Sequence, residues 1–105
     1  MPANEYPVLL FETPFDERSQ FEASSKGYLS GVSVQQQNGN TYPVVFYDCV
    51  RLEQDLEYEV SSGRMCVADP GMIVVPEVTL ENMLIAIKKL DIEGYFNSLQ
   101  PVPRL

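Results

Sequence analysis

The sequence predicts an α+β domain in which a mainly antiparallel sheet is packed by two helices. The first observation is a pair of β-prone runs that meet at a turn, over about residues 28–48. The second is a set of further short apolar runs, each suited to one strand, at about residues 8–11, 65–68 and 72–75. The third is helical periodicity at about residues 49–62 and 80–90. Strands and helices in this irregular order are typical of α+β folds.

Length and composition predict one globular domain over residues 1–105. The apolar share is 45% and the charged share 21%, both close to the average for folded proteins. At this length a second core would be too small to fold by itself. The ends, residues 1–5 and 100–105, are expected to be loosely ordered, as chain ends commonly are.

The first 27 residues carry the weakest signals. The run Tyr6–Phe11 is β-prone, and Pro7 confines it to a strand start or a sheet edge because proline cannot donate to the ladder. Charged and small residues follow. They predict a loop with at most a helical turn around Phe15–Phe21.

The hairpin is the clearest local signal. Asn and Gly tolerate the left-handed conformations that hairpin turns demand, and Asn38–Asn40 contains both residue types. A three-residue loop would place Val34 opposite Val44, with apolar pairs on one face. A two-residue Asn-Gly turn would place Val34 opposite Pro43 instead. The three-residue loop is preferred.

Residues 48–63 fit either a strand or a helix. Read as a strand, the segment alternates between acidic and apolar side chains. Read as a helix, it gathers four apolar side chains on one stripe, namely Cys49, Leu52, Leu56 and Val60. Helix-forming composition favours the helix, with Asp48 as N-cap and Gly63 past the C-terminal end. Leu52, Leu56 and Val60 are then expected to face the sheet.

The last third contains two further predictions. Asp69-Pro70-Gly71 is typical of a type II turn, and the following run at 72–75 is apolar on both faces, which suits an interior strand. Thr79 is the expected N-cap of the final helix, and Gly94 ends it. Beyond Gly94, the apolar side chains are expected to fold back onto the body.

The usual catalytic residues are scarce, and neither a catalytic residue, a cofactor nor a metal site is predicted. The chain contains no histidine. Its two cysteines, Cys49 and Cys66, lie among apolar residues and are predicted to be buried, reduced and dispensable thiols. The rival hypothesis is a small enzyme that uses carboxylates or Cys49, since a helix amino terminus can activate a thiol.

The charge predicts the kind of partner. The chain has fifteen Asp and Glu but only seven Lys and Arg, which gives a net charge of −8. This charge argues against nucleic acid and anionic membranes as partners, because both are bound through cations. A basic partner protein fits this charge. The candidate binding residues lie together in the acidic segment, namely Glu53, Asp55, Glu57, Tyr58 and Glu59. The expected function is a small acidic non-catalytic interaction module, of which inhibitors and immunity-type proteins are examples.

Two further expectations concern location and self-pairing. No apolar run approaches the roughly 20 residues that span a bilayer, and the N-terminal sequence shows no secretory signal. The protein is therefore expected in the cytoplasm. An uncovered edge strand, at Tyr6–Phe11 or Gly71–Val75, would allow two copies to pair as a homodimer.

Overall fold

The computed structural model describes residues 5–102, which form a mixed four-stranded sheet and three α-helices. The strands are β1 (Val8–Phe11), β2 (Tyr28–Gln35), β3 (Thr41–Tyr47) and β4 (Met72–Val74). The helices are α1 (Glu17–Lys26), α2 (Cys49–Ser61) and α3 (Leu80–Ile92), and a 3₁₀ turn (Tyr95–Ser98) follows them. These elements confirm the predicted α+β class.

The strands lie in the order β1-β2-β3-β4, so β1 and β4 form the two edges of the sheet. β1 pairs with β2, and β2 with β3, in antiparallel fashion, whereas β3 and β4 are parallel. The sheet is therefore mixed. Because parallel neighbours need a crossover connection, α2 and the segment after it lead from the end of β3 back to the start of β4.

α3 packs against the core that lines one face of the sheet. The largest fully buried side chains come from both layers: Phe46, Phe96, Met83, Ile87, Val34 and Val78. The predicted cap of α3 is present, because the Asn82 amide donates to Thr79 Oγ1 at 3.2 Å. Phe96 confirms the predicted return of the chain after Gly94, since it belongs to the core.

The hairpin between β2 and β3 is confirmed, but its register differs from both predictions. Val34 lies opposite Tyr42, two residues from its preferred partner Val44. The loop closes one residue earlier than predicted, because the Gln36 amide donates to the Asn40 carbonyl at 2.9 Å. Side chains alternate along a strand, so a shift of two residues leaves the same side chains on the core face.

α1 corrects the prediction of a loop with at most one helical turn. The Ser19 amide donates to Asp16 Oδ1 at 2.9 Å, which caps the helix and lowers the pKa of the Asp16 carboxyl. Gly27, at φ 67°, ends it. Ala23 is the one buried residue of α1, so the helix has little apolar periodicity by which the sequence could reveal it.

Residues 65–68 form no strand, contrary to prediction. The chain is still turning away from α2 at this point, because the amides of Arg64 and Met65 both donate to the Glu59 carbonyl. Met65 has a left-handed backbone, at φ 68°, far from the extended conformation of a regular strand. Apolar composition was therefore a poor guide here, since Met65 is 66% exposed.

The turn into β4 has the predicted type II geometry. The Met72 amide donates to the Asp69 carbonyl at 3.1 Å, and Gly71 has φ 74°. Gly71 also approaches β3 so closely that a Cβ atom would collide with the Pro43 carbonyl. β4 lies at an edge of the sheet rather than in its interior as predicted, although Ile73 is buried.

The predicted loose ends fall partly outside the described residues, at 1–4 and 103–105. Within the described part, the Val102 amide donates to the Thr41 carbonyl at 2.8 Å. The chain is therefore hydrogen-bonded to β3 at Val102, and the loose order of the chain ends stays a prediction.

Candidate functional site

α2 carries all of the candidate binding residues. Asp48 caps it, because Asp48 Oδ1 accepts a hydrogen bond from the Arg51 amide at 2.8 Å. Gly63 follows the end of the helix with φ 92°. Gly27 lies so close to the Asp48 carboxylate that a Cβ atom there would collide with it. The helical interpretation of residues 48–63, with both of its end residues, is confirmed.

α2 buries none of its thirteen residues. Leu56 is 41% exposed and Val60 44% exposed, while Leu52 is only half-buried. The prediction that these three side chains face the sheet is therefore wrong. A helix that connects two parallel strands usually covers a face of the sheet, and α2 departs from that arrangement.

The side of α2 that faces the body is charged. The Arg51 guanidinium lies 4.7 Å from the centre of the Tyr28 ring, which is a cation–π distance. Its Nε donates to Asp55 Oδ1 at 3.0 Å, and its Nη1 donates to the Lys26 carbonyl at 3.3 Å. These contacts orient α2 through polar groups and leave its apolar side chains on another side of the helix.

A polar cleft of about 180 Å³ lies between α2 and the body. Glu59 pairs across it with Arg64 at 3.7 Å. The Tyr47 hydroxyl donates to Asp69 Oδ2 at 3.0 Å. Burial, together with this hydrogen bond, raises the pKa of Tyr47 to about 12. Glu59 and Asp69 therefore each already have a partner within the protein.

The five candidate binding residues do not form one surface. Asp55 and Glu59 are half-buried and paired with arginines. Glu53 and Glu57 are exposed. Tyr58 is 70% exposed, but at about 100° per residue it lies on the opposite side of α2 from Cys49 and Val60. Glu53 and Glu57 are therefore the acidic pair that a partner can reach most directly.

The uncovered apolar stripe of α2 is here called the α2 ridge. It consists of Cys49, Leu52, Leu56 and Val60. At about 100° per residue these four side chains span about 80° of the helix circumference, and Glu53 and Glu57 follow directly on one flank. The sequence pattern located this stripe but could not show that it points to solvent.

Both cysteines are free thiols and both are exposed, so the prediction that they are buried is wrong. Cys49 belongs to the α2 ridge, which turns away from the body. Cys66 lies in the segment after α2 that was predicted as a strand. The apolar run before Cys49 is buried in β3, but Cys49 itself begins α2, which buries no residue. For Cys66, the neighbouring Met65 is itself 66% exposed.

Comparison with known proteins adds no family or relative to this description: no family model, curated protein or solved structure matches the chain. Between residues 5 and 102, no helix is both long and apolar enough to cross a membrane. The same residues contain no group of three acidic or cysteine side chains placed to hold a metal ion.

Proposed function

We propose that this protein is a small non-catalytic interaction module that binds a basic partner protein through α2, as an inhibitor or immunity-type protein would. The observation that carries the proposal is a pair of exposed carboxylates, Glu53 and Glu57, beside the uncovered α2 ridge. Neither carboxylate makes an ion pair or a side-chain hydrogen bond within residues 5–102. Both are therefore available to lysine or arginine side chains of a partner.

Two kinds of interaction would contribute to binding. The net charge of −8 would steer a basic protein toward this one and raise the association rate at low salt. The exposed side chains of Leu56 and Val60 would then be removed from water in the complex, at about 25 cal/mol per Å² of apolar surface. Charge would thus govern the encounter, and the apolar ridge would govern how long the complex lasts.

The cytoplasm is the proposed location. Cys49 and Cys66 are exposed free thiols, and such thiols stay reduced in the cytosol but are prone to oxidation in secretory compartments.

The test is affinity capture from lysate of the source cell, with the wild-type chain and with Glu53→Gln/Glu57→Gln as bait. A partner retained by the wild type at low salt should be reduced severalfold on the double variant, because each lost carboxylate removes one pairing site. The difference should shrink at high salt, where exposed charges are screened.

The matched control is Glu81→Gln/Glu93→Gln, which removes two exposed carboxylates, one in the first turn of α3 and one at its C-cap, and changes the net charge equally. It should retain the partner as the wild type does. Equal retention by all three baits would refute binding at α2, and equal loss by both double variants would show that net charge alone matters.

A further inference from the structure

α3 has an exposed face that complements the α2 ridge. Ile85 is 60% exposed and Ile92 is 83% exposed, and Lys88 and Lys89 between them are exposed as well. Positions 85, 88, 89 and 92 follow the spacing of one helix face. This set of four residues is here called the α3 outer face, and it lies opposite the buried side that carries Met83 and Ile87.

The two surfaces match in charge. The lysines of the α3 outer face lie on either side of its isoleucines, at about 60° and 40° from Ile85 around the helix. Neither lysine makes an ion pair within residues 5–102. If an α2 helix packs along this face, in either direction, one of the two lysines therefore lies on the side of the contact that carries Glu53 and Glu57.

The two surfaces also match in length. Leu52 to Val60 spans about 12 Å along α2, and Ile85 to Ile92 spans about 10 Å along α3, at 1.5 Å per residue. Both are convex helix surfaces about two turns long, and the α3 outer face has one isoleucine at each end. Such surfaces pack lengthwise, the ridges of one helix entering the grooves of the other.

We infer that a second copy of this chain docks its α3 outer face on the α2 ridge. A two-fold arrangement makes this contact twice, α3 of each copy on α2 of the other, in a closed dimer. The inference shares the α2 ridge with the proposed function but needs no other protein. A second copy would therefore compete with a basic partner for the ridge.

The net charge of −8 opposes this association at long range, while the local lysine–glutamate pairs favour it. Repulsion between whole molecules decays over about 8–10 Å at physiological salt. Self-association is therefore expected to be weak and dependent on protein concentration.

The experiment is sedimentation equilibrium on the full chain, up to about millimolar concentration, with Leu56→Ser and Ile92→Ser as test variants. Each should raise the dissociation constant about tenfold, because each removes one side chain from the apolar contact. Phe21→Ser is the matched control: Phe21 is 72% exposed but lies on α1, and its loss should change nothing. Circular dichroism confirms that each variant is folded.

Exchanging the charges of the two surfaces distinguishes this specific contact from non-specific association. Glu53→Lys/Glu57→Lys alone and Lys88→Glu/Lys89→Glu alone should each dissociate, because like charges then meet across both contacts. A mixture of the two should associate again, since every lysine faces a glutamate. Glu17→Lys/Glu22→Lys, which has the same net charge as the first variant but carries its change on α1, should not restore association when mixed with the second.

A chain that stays monomeric over the whole concentration range would overturn the inference, as would association that Leu56→Ser and the charge exchange leave unchanged. The latter result would indicate another surface, such as the edge strand β1. Neither result bears on capture of a basic partner by Glu53 and Glu57. Failure of that capture would, in turn, leave the sedimentation result standing.

Discussion

The Tyr47 hydroxyl has a higher pKa in the folded protein than in the unfolded chain. Tyr47 is 4% exposed, and its pKa is raised to about 12, first by burial and then by the hydrogen bond to Asp69. In the unfolded chain a tyrosine has a pKa of about 10. Between these two values the unfolded chain loses this proton while the folded protein keeps it, so stability falls as pH rises through this range.

We therefore expect the free energy of unfolding to decrease between about pH 10 and pH 12, and Tyr47→Phe to reduce that decrease because it removes the titrating group. Urea unfolding at a series of pH values measures this. Tyr58→Phe is the control, because Tyr58 is 70% exposed, and it should follow the wild type. Parallel pH profiles for the wild type and Tyr47→Phe would contradict the assignment.

The thiols give a second prediction at the scale of the residue. Because Cys49 and Cys66 are exposed, both should be alkylated in the native protein at rates close to those in denaturant. Mass spectrometry after timed iodoacetamide treatment measures this, with Cys49→Ala and Cys66→Ala to assign each rate. A thiol that reacts only after unfolding would show that it is buried in solution.

At the scale of the element, α2 and α3 show why a similar apolar pattern can have two outcomes. Both are thirteen-residue helices with a side-chain cap, yet α3 buries Met83 and Ile87 while α2 buries nothing. The difference arises from Arg51, whose contacts with the Tyr28 ring and the Lys26 carbonyl turn the charged side of α2 inward. These contacts join residues far apart in sequence, and a pattern within one segment contains no information about them.

Leu56→Ala in α2 and Ile87→Ala in α3 should lower the free energy of unfolding by different amounts. From the stripe alone, the sequence predicts a loss of about 2–5 kcal/mol, the usual cost of truncating a buried leucine. Since Leu56 is 41% exposed, we expect a change of about 0.5 kcal/mol or less. Ile87→Ala, at a fully buried position of α3, should cost about 2–5 kcal/mol. Chemical denaturation of both variants measures this, and similar losses would show that the α2 ridge is covered.

The sequence contained local signals for the start and end of α1, but the lack of an apolar stripe outweighed them. Asp16 before the helix and Gly27 after it are residues typical of a helix cap and a helix end. The intervening sequence is polar and contains Ser24 and Ser25, so no apolar stripe supported them. The presence of the hairpin, though not its register, and the position of α3 were predicted correctly because turn residues, caps and apolar spacing agreed there.

At the scale of the whole molecule, the sequence predicted the fold class and the presence of the strands β1 and β4 but not how the strands are ordered. The parallel pairing of β3 with β4 depends on contacts between distant segments. The candidate acids were found by composition, yet only Glu53 and Glu57 proved both exposed and unpaired among the described residues. Exposure depends on which side of a helix docks, and that is set by tertiary contacts.

The molecule has a larger radius of gyration than a typical compact domain of its size. Its radius of gyration is 14.4 Å, against about 13 Å for a compact domain of about 100 residues. This difference is in keeping with a helix that stands off the sheet instead of covering it. The surface that α2 adds in this way is the one that we propose for binding.

The separation of α2 from the core has an evolutionary consequence. Leu56, Val60, Glu53 and Glu57 are exposed and lie outside the core cluster, so substitutions there should keep the protein above the stability threshold that selection enforces. The protein can therefore acquire a new binding specificity at this helix while the sheet and α3 remain unchanged. Such a protein can accept substitutions in α2 that match changes in the surface of its partner.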